Sequence, residues 1–257
     1  MDQQTLTSQQ FGASATHYLT STVHATGADL DRLTALAAAL HAPRILDVGS
    51  GAGHASYAVA RAGAKKVVAY DLSTDMLAVV AAQAAARGHA AIETLAGPAE
   101  QLPFADASFD VVVTRFSAHH WLDWRRALSE IARVLVSHGA LIAIDVVAPE
   151  VPLFDTALQT LELLRDASHV RNYRGSEWRA ALIEAGFAPP KIDRWKLALE
   201  FHSWVARIAT SPARIDALKM VFDALPFEAR EYLGVANDYS FSIEAAWIET
   251  ALARPRG

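Results

Sequence analysis

A glycine-rich stretch in the first quarter of the chain has the residue types of a ligand-binding loop. Gly49, Gly51 and Gly53 follow Asp47 at every second position. Glycine lets the backbone bend tightly and approach a ligand closely, and the helix predicted to follow would add unpaired N–H groups and a positive dipole end. The spacing lacks the third glycine of the dinucleotide pattern GxGxxG. It therefore predicts a different nucleotide-type site, with an ordinary tight turn as the alternative.

A second acidic residue stands where a ribose could be bound. Asp71 ends a predicted strand and lies 22 residues after Gly49. The two ribose hydroxyls are donors that suit a carboxylate accepting two hydrogen bonds. Leu72 and Met76 would then flank an adenosine. The alternative is that Asp71 only caps the helix predicted over 73–87.

Two adjacent histidines, His119 and His120, follow the predicted fourth strand. Either could act as a general base, because the ordinary pKa of histidine lies near neutrality. The alternative is a structural histidine that bonds to the backbone. No third metal ligand is evident, so the sequence predicts no metal site.

A polar segment further along, residues 165–178, is dense in charge and aromatic residues. Arg165, His169, Arg171 and Tyr173 could hold a polar or anionic acceptor at the rim of a pocket. A solvated loop is the alternative.

These residues are positioned by alternating strands and helices. Apolar runs predict strands, and helical spacing of apolar residues predicts helices. Alternation of the two predicts an α/β, doubly wound sheet with ligands at the carboxyl ends of the strands. We expect Asp123 to cap a helix that reaches Val136 and is ended by Gly139, and Ser176 to cap a later helix. The strands are predicted at 44–48, 66–70, 91–95, 106–116, 141–147, 192–202 and 239–250, and helices at 27–41, 54–62, 73–87, 123–136, 154–165, 176–185 and mostly 204–233.

Composition narrows the class of protein. The chain has 257 residues, 52% hydrophobic and 20% charged, with a net charge of −5 and no cysteine. These values favour one elaborated domain, no nucleic-acid partner, and neither disulfides nor thiol catalysis. No apolar run reaches membrane-spanning length, so the expected location is cytoplasmic. Phe11 and Tyr18 stand out in a polar N-terminus, which is either a frayed tail or a lid over the site.

Five segments together resemble the class I S-adenosylmethionine-dependent methyltransferases, in particular the ubiquinone/menaquinone-biosynthesis C-methyltransferase-like family (methyltransferase type 11). The resemblance implies a Rossmann-like methyltransferase sheet, mostly parallel with an antiparallel last strand, helices on both faces and a small helical cap. It implies S-adenosyl-L-methionine as the cofactor. The segments are LDVGSGAGH, VVAYDLSTDML, AEQLPFADASFDVV, SAHHW and RVLVSHGALIAID.

The residue patterns and the resemblance together predict which parts of the chain serve the cofactor, the chemistry and the substrate. Residues 1–42 would form a lid and helix, 43–148 the cofactor-binding core, and 149–257 a half with substrate-covering insertions. His119 and His120 are the catalytic candidates, and Tyr18, His169, Arg171 and Tyr173 the substrate candidates. The cofactor candidates are Asp47, Gly49, Ser50, Gly51, Gly53, Asp71, Leu72, Met76, Ala99, Glu100 and Arg115.

The function implied is methyl transfer to a small-molecule acceptor, with quinone-like and phenolic molecules as candidates. The chain is expected to be a monomer or a homodimer. A non-catalytic S-adenosylmethionine-binding protein is the main alternative. A nicotinamide oxidoreductase is disfavoured by the missing third glycine.

Overall fold

Seven strands form a single sheet in the computed structural model, which describes residues 1–12 and 27–253. The strands are β1 (Arg44–Val48), β2 (Lys66–Asp71), β3 (Ile92–Ala96), β4 (Phe109–Arg115), β5 (Leu135–Val146), β6 (Lys191–Leu199) and β7 (Phe241–Ala251). Their order is β3-β2-β1-β4-β5-β7-β6. Strand β7 is antiparallel to both of its neighbours, β5 and β6, and the pairs formed by β1 to β5 with one another are parallel. The predicted sheet, with its antiparallel last strand, is confirmed.

The strand order places a crevice beside β1. The chain leaves β1 toward β2 and β3, and then returns to the other side of β1 as β4. At such a reversal the loops after the two central strands separate, and the carboxyl edge of the sheet opens between them. The glycine loop follows β1 and the two histidines follow β4, so both predicted motifs lie at this opening.

Helices cover both faces of the sheet. They are α1 (Gln3–Gly12), α2 (Ala28–Ala39), α3 (His54–Arg61), α4 (Thr74–Ala86), α5 (Trp124–Val134), α6 (Pro152–Arg165), α7 (Gly175–Glu184), α8 (Phe201–Ala206), α9 (Pro212–Ala224) and α10 (Phe227–Leu233), with a 3-10 turn at Ala118–His120. In β1, Leu46 faces the cluster that α5 and α7 complete, whereas Ile45 faces the one that α2 and α3 complete. Burial of the strand on both faces explains why Ile45 and Leu46 are apolar at consecutive positions.

A separate helical layer covers the far end of the crevice. Helices α6, α8, α9 and α10 share one apolar cluster with the ends of β5, β6 and β7, which includes Phe222, Phe241 and Trp204. This layer is the small helical cap expected from the resemblance. It places α6 and α8 over the side of the crevice away from the glycine loop.

Two predicted helix boundaries are wrong. Helix α5 ends at Val134 rather than running to Val136 and Gly139, because Leu135 pairs with Phe109 and so begins β5. Sheet pairing here overrides local helix propensity. Ser176 does not cap α7. Instead the Glu177 carboxylate accepts the Arg174 N–H at 2.8 Å, and the Ser176 hydroxyl donates to Glu150.

Candidate active site

A single cavity occupies the crevice at the carboxyl ends of β1, β2 and β4. The glycine loop and the end of β2 form one half of its wall. The segment after β4, the end of α6 and parts of β6, β7 and α8 form the other half. Helix α1 contributes Gln4, Thr7 and Phe11. The cavity therefore has a glycine-loop half and a histidine half.

The glycine loop is fastened to β2 by backbone hydrogen bonds. The N–H groups of Gly49 and Ser50 both donate to the Tyr70 carbonyl, at 2.8 and 3.1 Å. Gly49 has φ +69°, and a Cβ there would lie 1.7 Å from the Ser117 Oγ. Gly51 has φ +51° and open space around its Cα. Glycine is needed at both positions, for close packing at Gly49 and for a left-handed backbone at each.

Asp71 joins the glycine loop to the start of α4. Its Oδ2 accepts the Gly51 N–H and its Oδ1 accepts the Ser73 N–H, both at 2.8 Å. The cap of α4 is Ser73, whose hydroxyl accepts the Met76 N–H. Burial raises the pKa of Asp71 above its usual value, against these backbone bonds. Each carboxylate oxygen keeps a further lone pair, and the residue lines the cavity.

Asp47 is a buried carboxylate with one unused oxygen. Its residue is 1% exposed. Its Oδ2 accepts the Ser56 hydroxyl at 2.6 Å, and its Oδ1 is buried without a hydrogen-bond partner among the described residues. Burial raises the pKa of Asp47 to about 6, although the Ser56 bond opposes the shift. An unpaired buried carboxylate oxygen in a cavity wall fits a cationic ligand group.

Arg115 brings a positive charge to the same half. It ends β4, and its Nε donates to Asp29 of α2 at 2.6 Å. Its side chain is almost fully buried and lines the cavity. Sequence reasoning missed Asp29, since the only local signal is an acidic residue in the first turn of a helix.

The remaining cofactor candidates divide into two groups. Leu72, Met76, Ala99 and Glu100 line the cavity, as Ser50 does. Gly53 does not. It precedes α3 with φ +84°, and a Cβ there would lie 2.9 Å from the Tyr57 ring. Its position therefore serves the packing of α3, and its contact with the cofactor stays a prediction.

His119 is oriented by a carboxylate on the next strand. Its Nδ1 lies 2.5 Å from Oδ1 of Asp145, whose Oδ2 accepts the Ala118 N–H. Burial lowers the pKa of His119, but the Asp145 charge and hydrogen bond outweigh it, so the net pKa is raised. In the described part of the chain no hydrogen bond reaches Nε2, which leaves that nitrogen for a ligand. Asp145 was not predicted; its signal is an acidic residue inside an apolar strand.

His120 has the contacts of a structural histidine. Its Nδ1 lies 3.0 Å from the Ser168 carbonyl, and its ring packs edge-on against Phe11 of α1. Burial and the neighbouring His119 lower its pKa to about 4. A neutral ring with Nδ1 donating to a carbonyl matches the structural alternative left open by the sequence.

Three predicted substrate residues do not line the cavity. His169 is buried and its Nε2 lies 3.0 Å from Oε1 of Gln159, and burial lowers its pKa to about 2. Arg171 pairs with Asp155 at 3.0 Å, because that buried carboxylate needs positive partners. Tyr173 stacks on Trp124 at 3.7 Å. We therefore leave all three out of the acceptor site. Tyr18 lies outside the described residues.

Two further features are absent from the described residues, a metal-binding cluster and a membrane-spanning helix. Within 1–12 and 27–253, no group of three or more His, Cys, Asp or Glu side chains is arranged to hold a metal ion. Over the same ranges, none of the helices combines the length and apolar character needed to cross a membrane.

Comparison with known proteins agrees with this geometry. Residues 46–143 match the family model described as a methyltransferase domain. The uncharacterized methyltransferase YcgJ of Bacillus subtilis is 36% identical over 204 residues, which cover 79% of this chain and 80% of YcgJ. The chain belongs to the class I S-adenosylmethionine-dependent methyltransferases. Its cofactor is S-adenosylmethionine. The comparisons support neither a nicotinamide oxidoreductase nor a non-catalytic S-adenosylmethionine-binding protein.

Two further comparisons extend the methyltransferase match over most of the chain. The crystal structure of YcgJ superimposes with a TM-score of 0.83 at 31% identity, covering 89% of this chain and 98% of that one. The uncharacterized protein YafE of Escherichia coli is 46% identical over 183 residues, 71% of this chain and 88% of YafE. The family resemblance read from the sequence is confirmed. The cytoplasmic location, the domain limits and the monomer-or-homodimer state stay predictions.

Proposed function

We propose that this methyltransferase methylates a small molecule with an acidic hydroxyl, a phenol or a quinol, and that His119 is the base. The observation that carries the proposal is the His119–Asp145 pair in the wall of the cavity, 2.5 Å apart. A buried carboxylate on Nδ1 orients an imidazole and stabilises its protonated form.

In the glycine-loop half, the buried acids suit the cofactor's polar groups. S-adenosylmethionine supplies an electrophilic methyl group on a sulfonium. Asp71 would accept the ribose hydroxyls with its remaining lone pairs, and the unpaired oxygen of Asp47 would receive the ammonium. Arg115 would face the carboxylate, while Ala99 and Glu100 would lie along the adenine.

In the histidine half, an apolar wall faces a polar end. The apolar side chains come from β6, β7 and α8, and the polar ones from α6 and the segment after β4. Such a pocket suits a planar molecule held by a few polar groups. Phe11 of α1 covers the cavity and would help to exclude water during transfer. The apolar set is Leu197, Leu199, Trp204 and Ile243, and the polar set is His119, Glu162, Arg165 and Asp166.

The chain's own chemistry is then a single proton transfer. Asp145 holds the Nδ1–H of His119, so Nε2 carries the lone pair. Nε2 takes the proton of the acceptor hydroxyl, and the resulting imidazolium is stabilised by Asp145. The remaining residues position the two reactants, which by itself supplies a large part of the rate.

A named relative supports a quinol-type acceptor. The demethylmenaquinone methyltransferase of Chlorobaculum parvum is 37% identical over 111 residues, 43% of this chain and 44% of that protein. The match covers less than half of either chain, so the acceptor is assigned by experiment rather than by this relative.

The test is methyl transfer from isotope-labelled cofactor to a metabolite extract, followed by identification of the labelled product. With that acceptor, His119→Ala should lower turnover by about 10²–10⁴-fold, the usual contribution of a positioned base. Affinity for S-adenosylhomocysteine, measured by titration calorimetry, should change by less than about twofold. His120→Gln is the control and should lose less turnover.

Turnover should depend on pH with a defined sign. A base must be unprotonated, and the pKa of His119 is raised above its usual value of about 6.5. Turnover should therefore rise with pH through that raised pKa, and the rise should vanish in His119→Ala. Wild-type turnover with an unchanged pH profile in His119→Ala would remove His119 from the mechanism.

A further inference from the structure

Two polar side chains in the histidine half of the cavity lack hydrogen-bond partners among the described residues. The Glu162 side chain is 10% exposed, and no hydrogen bond to its carboxylate is found within residues 1–12 and 27–253. Asn172 is 1% exposed, and both its Oδ1 and its Nδ2 are unpaired among the described residues. Both residues line the cavity together with His119.

The neighbours of Glu162 do not satisfy its carboxylate. Among the described residues, Glu162 forms an ion pair with Arg165, whose Nη1 lies 3.7 Å away, beyond hydrogen-bond distance. Arg165 is engaged elsewhere, since its Nε donates to the Trp204 carbonyl at 3.0 Å and its guanidinium lies over the Trp204 ring. Glu162 therefore keeps its acceptor oxygens for another group.

The backbone of Asn172 is locked in place. The Gln159 side chain accepts the Asn172 N–H at 3.0 Å and donates to the Asn172 carbonyl at 2.8 Å. Gln159 is itself held by Asp155 at 2.9 Å. With the main chain bonded on both sides, the amide stays at the cavity wall. An unpaired buried amide destabilises the folded state, so a ligand that pairs with it would remove that penalty.

We propose that Glu162 and Asn172 recognise a second hydroxyl of the methyl acceptor, so that the acceptor is a planar dihydroxylated molecule rather than a monophenol. The proposal rests on the proposed function. One hydroxyl is deprotonated at His119, and the other donates to the Glu162 carboxylate. The Asn172 amide donates to the oxygen of that second hydroxyl. A carboxylate accepts such a bond more strongly than a neutral oxygen does.

The experiment compares three diols with their monomethyl ethers on protein saturated with S-adenosylhomocysteine. The pairs are catechol and guaiacol, resorcinol and 3-methoxyphenol, and hydroquinone and 4-methoxyphenol. Each ether keeps one hydroxyl and loses one donor, and the three pairs cover the spacings of two hydroxyls on one ring. Dissociation constants are measured by NMR titration at pH 8, since burial raises the pKa of Glu162.

At least one diol should bind wild type about tenfold or more tightly than its ether, as expected for a hydrogen bond to a charged group. In Glu162→Leu and Asn172→Leu that ratio should fall below about twofold, and Glu162→Gln should lie between. Glu228→Leu, on the exposed surface of α10, is the matched control and should keep the wild-type ratio.

Folding and function are checked separately. Asn172→Leu should also shift the urea midpoint upward, because it removes an unpaired buried amide. Affinity for S-adenosylhomocysteine should be unchanged in every variant. Equal binding of diols and ethers, no binding of any diol, or ratios unaffected by both substitutions would overturn the proposal, with a bridging water as the occupant instead. None of these binding and unfolding measurements depends on turnover. A negative result would therefore leave the proposed role of His119 in methyl transfer unaffected.

Discussion

At the scale of single residues, two buried carboxylates line the same half of the cavity in different states of pairing. Asp71 has a backbone partner on each oxygen, whereas Asp47 has one oxygen unpaired among the described residues. Asp71 is thus held in position before a ligand arrives. Asp47 carries the cost of burial until a cation reaches it. The two acids should therefore respond differently to substitution.

Asp71→Ala should weaken binding of S-adenosylhomocysteine by about 1.5–3 kcal/mol, the range for hydrogen bonds to a charged partner. The substitution removes the acceptor proposed for the ribose and also the anchor of the Gly51 N–H. Titration calorimetry measures the loss. Asp71→Asn keeps one acceptor oxygen and should lose less. A folded Asp71→Ala variant with an unchanged dissociation constant would place the ribose elsewhere.

Asp47 should make stability depend on pH between about 4 and 6. Its pKa is raised from the usual 3.8 to about 6, so in this range the folded state binds more protons than the unfolded state. The free energy of unfolding then decreases as pH rises through this window. Urea unfolding at several pH values, compared with Asp47→Asn, isolates this contribution. The variant should have the flatter profile and weaker cofactor binding; identical profiles would contradict the assigned pKa.

At the scale of elements, the loop between β1 and α3 depends on backbone conformation. Gly51→Val should block cofactor binding. Gly51 lines the cavity with open space beside it, and the new side chain would fill that space. It should also destabilise the fold by about 1–2 kcal/mol through its left-handed φ. The matched control is Gly88→Val, which has φ +70° and open space but does not line the cavity. Both should lose stability, and only Gly51→Val should lose affinity for S-adenosylhomocysteine. Normal binding by Gly51→Val would mean that the loop does not touch the cofactor.

Helix α1, which lines the cavity, is tied to the segment that holds His120 and to the residues that follow α8. In α1, Gln3 donates to the Ser168 carbonyl at 2.6 Å and Gln10 to the Ile208 carbonyl at 2.9 Å. The Ser168 carbonyl is also the partner of His120. The segment expected to act as a lid, Phe11–Tyr18, is described by the structure only at its first two residues. Of these, Phe11 contacts His120. Ordering of that segment over the cofactor stays a prediction.

At the scale of the whole molecule, Asp155 connects the helical cap to the segment before α7. It accepts from Arg174 at 2.6 Å, from Arg171 at 3.0 Å and from Gln159 at 2.9 Å. Asp155→Ala should lower the free energy of unfolding by about 1.5–3 kcal/mol, since buried charge-assisted bonds are lost. Arg171→Ala should cost less because Arg174 remains. Urea denaturation measures both effects.

The same two variants decide what Arg171 does. Affinity for S-adenosylhomocysteine should stay within about twofold of wild type in each, because neither Asp155 nor Arg171 lines the cavity. A loss of acceptor turnover in Arg171→Ala at unchanged stability would restore the rim role expected from the sequence.

Local patterns in the sequence were sufficient to predict the glycine-loop half of the cavity. A strand, a glycine loop and a helix are consecutive in the chain, so their geometry follows from residue types and spacing alone. The bounds predicted for β1 match the structure, and Asp71 lies at the predicted end of β2. The dependence of parallel strands on crossover helices then constrains the sheet order. The sequence alone therefore determined the fold, the family and the position of the glycine loop.

Only the tertiary structure decided which polar groups pair across the fold. His119 meets Asp145 across 26 residues, and Arg115 meets Asp29 across 86. Arg171 is diverted from the cavity by Asp155, a competition that no local pattern reports. Periodicity indicates which face of an element is buried, but not which charge on another element it will face. In the histidine half, the His119–Asp145 pair is of this kind, which is why Asp145 emerged only from the structure.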